Sequence, residues 1–334
     1  MGDAENQQQR PEAPPQQQPA MEQSAAIQTM IDVLRDQETE EGRMKGYHFK
    51  PRSEDVMVVS PAKCGTTWLC QIVQSLRSRG DMDFEEINLE MPCVEMWHEY
   101  GLAGLEEPQR WQPCVFKTHF WHPDCPKGAG KYLYIVRDPM ESGPSFYHFM
   151  NGWAFDADSI SLDAFIREFF MWRGDAASPL QNAGQWSNMA SWYPRRGNDD
   201  VLWLHYEDLH ADRHAAVRLI ADFLGIGVDD AELQAIAVEQ SSIEFMKAHP
   251  TKYDEHMLKA AVNGRSGRPA DAGMGSGGKV REGRLGANKQ QLTPELEAAL
   301  QQRWTEYMLP RTGYGSYADM RRGINSELGR PFAS

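Results

Sequence analysis

The stretch "VMVVSPAKCGTTWLCQIV", Val56 to Val73, decides the fold. An apolar run ends at Ser60 and Pro61, Gly65 makes a turn, and two threonines open a segment of helical spacing, with Trp68, Ile72 and Leu76 at four-residue steps and Gly80 as its stop. A strand, a glycine turn and a helix N-terminus together make an anion site, because unpaired backbone N–H groups and the helix dipole converge there. Thr66 and Thr67 add hydroxyl donors, and Trp68 sits in the first helical turn, where an indole can stack on a base. The order Lys63-Cys64-Gly65-Thr66-Thr67 is not the ATP-type loop G-x-x-x-x-G-K-[ST]: the lysine precedes the turn and reaches an anion from the strand side. Alone, the loop equally describes an ordinary strand-to-helix connection with a capping threonine. Cys64 within it reads as a small residue in a tight turn in preference to a reactive thiol.

Outward from this corner, short apolar runs alternate with helical patterns. Strands are expected at Asp55–Ser60, Pro113–Phe120, Lys131–Arg137 and Val201–Leu209, and helices at 66–80 and Asp212–Gly225. The alternation predicts a single α/β domain with a central parallel sheet flanked by helices. Ligands of such sheets bind beyond the carboxyl ends of the strands. Two further segments end there. In "YIVRDPMESGPSFYHF", Arg137 closes a strand where a guanidinium can clamp a phosphate; Asp138 is the expected N-cap, Pro139 suits the first helical position and Glu141 is expected to close a capping box. An Arg137–Glu141 ion pair is the plainer reading. Gly143 and Pro144 bend the helix and leave Ser145 accessible. In "CVFKTHF", Lys117 and His119 are two apart and share a face; the imidazole suits a general base, and the ammonium suits charge on a leaving phosphate. Two anion corners on neighbouring strands imply a ligand with two separated phosphates.

Composition narrows the classes. The 334 residues carry a formal net charge of −14, which argues against nucleic-acid binding through a basic face. Five cysteines without a Cys-x-x-Cys fit a reducing compartment. No apolar run approaches the roughly 18 residues of a membrane span. The first 23 residues have neither a basic start nor an apolar core, so no secretory signal is expected, and a cytoplasmic protein follows by elimination. Rich in Gln and Pro, residues 1–25 read as a disordered tail before a domain spanning 26–334. "NGRSGRPADAGMGSGGK", Asn263 to Lys279, reads as a glycine-rich mobile flap extending over about 263–286, and after Val280 only one helix, near Pro294–Tyr307, is evident.

The ordered combination K-x-G-T-T-W, K-T-H and R-x₇-S, from about Phe49 to Met308, resembles the cytosolic sulfotransferase family, whose members transfer a sulfuryl group from 3′-phosphoadenosine 5′-phosphosulfate (PAPS) to a hydroxyl or amine. The resemblance implies a P-loop-like phosphosulfate-binding loop of Lys63, Gly65, Thr66 and Thr67, with Trp68 against adenine. It implies Arg137 and Ser145 on the 3′-phosphate, His119 as base, and Lys63 and Lys117 stabilising transfer. It further implies adenine contacts from Tyr206, Ser241 and Met246, and 3′-phosphate contacts from Arg281 and Gly283. PAPS would be the co-substrate, a small alcohol, phenol or amine the acceptor, and no metal is required. The chain departs from the family pattern at Ala62, which separates Pro61 from the loop lysine, at Glu282 in place of the flap lysine, at Ile243 for a phenylalanine and at Asn288 for a tryptophan. The family's dimer segment is degraded at Pro294 and Ala298, and Pro294 fits better as the first residue of a helix capped by Thr293, so homodimerisation by that route is doubtful.

Other signals are weaker. His119 with His122, and His210 with His214, lack the glutamate of a zinc-protease motif. Phe146, Tyr147, Phe149, Trp153 and Phe155 suit an acceptor pocket or the core equally. The acids Glu85, Glu86, Glu90, Glu95 and Glu99 read as solvated surface, with attraction of a cationic acceptor as the alternative. The rival functions are an ATP-dependent P-loop phosphotransferase and a non-catalytic adenosine 3′,5′-bisphosphate-binding regulator.

Overall fold

Four strands form one parallel sheet: β1 (Val56–Val59), β2 (Val115–Thr118), β3 (Lys131–Val136) and β4 (Val201–His205), in the order β2-β1-β3-β4. This is a computed structural model that describes residues 24–102, 104–274, 279–280 and 283–332. Val58 lies opposite Lys117 on one side and Leu133 on the other, and Tyr134 lies opposite Trp203.

The strands are apolar at almost every position because both sheet faces are covered. Alternate residues divide between two cores. Val56, Val58, Leu133, Ile135 and Leu204 face one; Met57, Val59, Tyr132, Tyr134 and Trp203 face the other. The helices that cover them are α1 (Ala25–Arg35), α2 (Thr66–Ser78), α3 (Pro139–Met150), α4 (Arg213–Leu224), α5 (Ala231–Gln240) and α7 (Pro294–Tyr307), while α6 (His256–Val262) packs on the turn Trp97–Tyr100. Leu69, Ile72 and Leu76 of α2 join Val217 and Ile220 of α4 and Leu233 of α5 on the first face; Met30 of α1, Phe146 of α3 and Leu296 and Leu300 of α7 join the second. The connection after β1 runs to β2 on one side and that after β3 to β4 on the other. The crevice between the carboxyl ends of β1 and β3 is therefore the switch point where such sheets bind ligands.

The helix starts follow their caps. Asp138 Oδ1 accepts from Met140 N at 2.9 Å and Thr293 Oγ1 from Leu296 N at 3.3 Å, with Pro139 and Pro294 opening their helices as expected. The capping box does not form: Glu141 turns to Arg137 at 3.0 Å, and Asp138 N donates to Glu207 Oε1 at 3.1 Å instead. The fourth strand stops at His205, short of Leu209. Glu207 and Asp208 fall in the first turn of a short helix, Tyr206–Ala211, where carboxylates favour the helix dipole. After Val280 there are, besides α7 and among the described residues, the short helix Leu309–Thr312 and a longer one, Tyr317–Glu327, capped by Ser316 and buried through Met320 and Ile324. Ser24 caps α1, whose Ile27 and Met30 are fully buried. Residues 1–23, almost all of the expected tail, lie outside the described residues. In the expected flap, Asn263 Nδ2 donates to Ala270 O and Ala272 O at 3.1 and 3.2 Å, and Lys259 Nζ donates to Gly273 O at 2.7 Å.

Candidate active site

Gly65 makes the corner between β1 and α2 and no other residue fits there: φ is +102°, and a Cβ would lie 2.7 Å from Tyr206 Cδ2. Lys63 is also left-handed, at φ 65°. No side chain caps α2, so its first N–H groups remain open to an anion, and the Thr66 and Ser60 hydroxyls pair at 2.5 Å. Cys64 is buried, which pushes its thiol up to about 12, so it is an inert packing residue.

A cavity of about 1280 Å³ opens over this corner, and Lys63, Gly65, Thr66, Thr67, Trp68, Lys117, His119, Arg137, Ser145, Tyr206, Met246 and Gly283 all line it. Ser241 does not line it: its hydroxyl donates to Ala237 O at 2.6 Å, and it serves the site through its carbonyl, which accepts from Trp68 Nε1 at 2.7 Å. Trp68 then packs edge-on against Tyr206 at 5.2 Å. Arg281 and Glu282 lie outside the described residues. Arg137 stands 4.2 Å from the Tyr206 ring centre, bonds Glu141, and leaves its buried Nε without a partner among the described residues. Of the five aromatics, Phe146, Phe149 and Trp153 reach the cavity; Tyr147 and Phe155 pack in the core.

The cavity's sheet end is rich in positive charge. Lys63 Nζ sits 4.1 Å over the Phe149 ring, and burial, then the charge of Lys279, lower its pKa to about 7. Burial lowers Lys279 to about 8. Lys117 donates to Asn88 Oδ1 at 2.5 Å and to Glu255 Oε1 at 3.1 Å. Burial opposes its charge, but the Glu255 carboxylate outweighs that and holds its pKa above the ordinary value. Glu255 also pairs with Lys279, and the two lysines together hold its carboxyl far below the usual range despite burial. Lys63, Lys117 and Lys279 thus crowd about one carboxylate, Glu255, which pairs with the last two, and an added anion relieves their mutual repulsion.

His119 follows the end of β2. Its Nδ1 lies 2.9 Å from Ser60 O, an acceptor, so Nδ1 carries the proton and Nε2 keeps its lone pair. Its backbone N donates to Glu95 Oε1 at 2.5 Å, which also accepts from Thr118 Oγ1 at 2.8 Å. Burial lowers the His119 pKa, keeping the imidazole a free base at neutral pH.

The acidic stretch is solvated as expected at Glu85 and partly at Glu90, but not at its other three acids. Glu86, Glu95 and Glu99 are buried, because each has internal donors: Tyr100 OH at 2.9 Å for Glu86, Thr118 and His119 for Glu95, and Arg265 at 2.6 Å for Glu99. Among the described residues the grouping of metal-ligating type is Glu86, Asp254 and His256, in which His256 Nδ1 already bonds Asp254 at 2.8 Å; His119, His122, His210 and His214 are not part of it. Glu255 and Lys279 are functional candidates that sequence reasoning missed. The one local signal was Lys279 itself, a lysine closing a run of glycines.

The sulfotransferase domain family matches residues 53–311. Rabbit (Oryctolagus cuniculus) sulfotransferase 1C2 is 27% identical over 223 residues, covering 63% of this chain and 70% of the relative. Rabbit amine sulfotransferase is 26% identical over 251 residues, covering 74% and 78%. Mouse sulfotransferase SULT7A1 complexed with PAP aligns at a TM-score of 0.60 with 22% identity, covering 87% of this chain and 95% of the other. Retinol dehydratase in complex with androsterone and PAP aligns at 0.61 with 17% identity, covering 80% and 85%. At these identities the two structures speak for the fold.

Proposed function

The chain belongs to the sulfotransferase domain family, and from that premise we propose that it transfers a sulfuryl group from PAPS to a hydroxyl or amine of a small acceptor, with His119 as general base. The observation that carries this reading is one cavity in which a surplus of lysines, at an uncapped helix start, adjoins a histidine whose free nitrogen is Nε2. An ATP-type phosphotransferase or a non-catalytic regulator is not favoured, since Lys63, Lys117 and His119 are all present and converge.

In the proposed reaction, His119 Nε2 takes the acceptor's proton as the acceptor oxygen or nitrogen bonds to sulfur. The bond between sulfur and the bridging oxygen breaks, leaving adenosine 3′,5′-bisphosphate. Lys63 and Lys117 stabilise the charge that gathers on the departing phosphate, while Thr66, Thr67 and the first N–H groups of α2 hold it in place. Arg137, Ser145 and Gly283 are proposed to hold the 3′-phosphate, with Arg137 exchanging Glu141 for it; Arg281 is retained as a proposed contact. Trp68, Tyr206 and Met246 surround the adenine, and Ser241 acts by fixing Trp68. No residue in this scheme needs a metal. No described helix is long and apolar enough to cross a membrane.

A screen for transfer of radiolabelled sulfate from PAPS to phenols, alcohols, steroids and amines tests the proposal. Transfer without added magnesium is expected; turnover of ATP that requires magnesium, with no sulfate transfer, overturns it.

Glu255 allows a separate check. Its carboxylate holds the two lysines that the incoming anion needs. Glu255→Gln removes a like charge from the anion's surroundings, and adenosine 3′,5′-bisphosphate should bind about tenfold more tightly by calorimetry. The same change leaves buried Lys117 without its counter-charge, so the ligand-free protein should lose up to about 3 kcal/mol in urea unfolding. Unchanged affinity would show that Glu255 does not compete for the lysines.

A further inference from the structure

The same cavity holds another cation, Arg173. Arg173 comes shortly after a π-helical turn, Phe165–Phe170, a rare geometry that recurs at functional sites. Its Nη2 donates to Asn182 O at 2.8 Å, and its guanidinium lies 5.3 Å from the Phe169 ring centre. Among the described residues no carboxylate is paired with it.

The neighbouring arginine shows the contrast. Arg43 bonds Glu38 Oε2 at 2.6 Å, Pro179 O at 2.6 Å and Asn182 Oδ1 at 2.8 Å, so the nearest acid is already taken. Of the other acids lining this part of the cavity, Asp175 accepts from Tyr307 OH at 2.5 Å, and neither it nor Glu40 is paired with Arg173 among the described residues. Burial, then the charge of Arg43, lowers the Arg173 pKa to about 10, which leaves it protonated at neutral pH. A guanidinium offers five donors, and among the described residues one acceptor, Asn182 O, meets them.

Arg173 and His119 also line one narrow recess together with Ala62, Phe146 and Asn182. Phe149, Phe169 and the half-exposed Trp172 supply apolar walls between the recess and the mouth. A bound molecule thus meets a base, an aromatic wall and an unpaired cation.

We propose that Arg173 binds an anionic group of the acceptor, so that the acceptors of this enzyme are aromatic or otherwise apolar hydroxyl compounds carrying a carboxylate or comparable oxyanion. This rests on the sulfotransferase reading for the transfer step, but the binding does not. A planar carboxylate matches the guanidinium fork in a partly dry pocket, where the pairing discriminates strongly against a neutral isostere.

The test compares 4-hydroxyphenyl alkanoates of increasing chain length with their carboxamides. Binding is measured by calorimetry to protein saturated with adenosine 3′,5′-bisphosphate, and kcat/KM with PAPS. In the unaltered protein the best acid should exceed its amide by roughly tenfold or more in both readouts. Arg173→Gln should bring the ratio to about one, and Arg173→Lys should restore part of it, with affinity for adenosine 3′,5′-bisphosphate unchanged in both variants as evidence of an intact fold. An amide that binds as well as its acid in the unaltered protein overturns the proposal, as does an acid preference that survives Arg173→Gln. Binding of the acid that depends on Arg173 without any sulfate transfer sustains the proposal and overturns the transfer reading instead.

Discussion

Replacing His119 with alanine should lower kcat for sulfate transfer by a factor of about 10² to 10⁴, the range of a positioned general base, while affinity for adenosine 3′,5′-bisphosphate stays within about twofold. The reason lies in what holds the ring. Ser60 O can only accept, so it fixes the proton on Nδ1 at 2.9 Å and leaves the basic lone pair on Nε2. Glu95 holds the backbone of the same residue at 2.5 Å and sets the ring's direction without touching the ring nitrogens. Since burial lowers the His119 pKa below its ordinary 6.5, the free base persists to lower pH than for an exposed histidine. The acid limb of kcat should therefore fall at a pH below 6.5 and disappear in His119→Gln. Rates read by radiolabelled sulfate transfer between pH 5 and 8 decide the matter; an alanine variant that retains most of its activity would assign the proton to another group.

The parts of the site that the sequence exposes are those made within one strand-to-helix corner. Lys63 through Trp68 and Arg137 through Ser145 are each a contiguous run whose chemistry follows from caps, glycine and strand ends. Lys117 and His119 follow from strand alternation, and their convergence with the corners follows from the parallel sheet, because all carboxyl ends point one way. Glu255 and Lys279 were not legible. They lie 138 and 162 residues beyond Lys117 in the chain, Glu255 pairing with Lys117 and Lys279 with Glu255, and Glu255 does so from a left-handed turn at φ 58° that its residue type does not advertise. The buried acids at Glu86, Glu95 and Glu99 were misread for the same reason, since a carboxylate's burial depends on donors such as Arg265 that lie far away in sequence. Strand β4 ends at His205, four residues before the expected Leu209: the aromatic Tyr206 continues the strand-like pattern in the sequence, while Glu207 and Asp208 mark the change to helix.

Lys63 ties the cofactor end to pH. Half-buried near Lys279, it has a pKa of about 7 before an anion arrives, so near neutrality about half of the molecules lack the charge proposed to meet the phosphosulfate. A bound anion raises that pKa, and binding therefore takes up a proton between pH 7 and the higher value of the complex. Affinity is complete below pH 7 and declines above it, by up to about tenfold per pH unit for each proton taken up, with Lys279 joining from about pH 8. The ligand's own phosphates are already ionised in this window, since their second pKa is about 6, and so do not confuse the sign. Lys63→Met should remove the part of the decline that starts at pH 7 and move its onset to pH 8 or above, because Lys279 then loses a like-charged neighbour. The same variant should lose about 10² to 10³ in kcat, the cost of one donor aimed at developing charge, whereas Lys63→Arg should keep affinity with no decline starting at pH 7, an arginine being protonated throughout. Calorimetric titration of adenosine 3′,5′-bisphosphate from pH 6 to 9 separates these outcomes. An identical pH onset in the unaltered protein and Lys63→Met would place the titrating group elsewhere and remove Lys63 from the phosphosulfate.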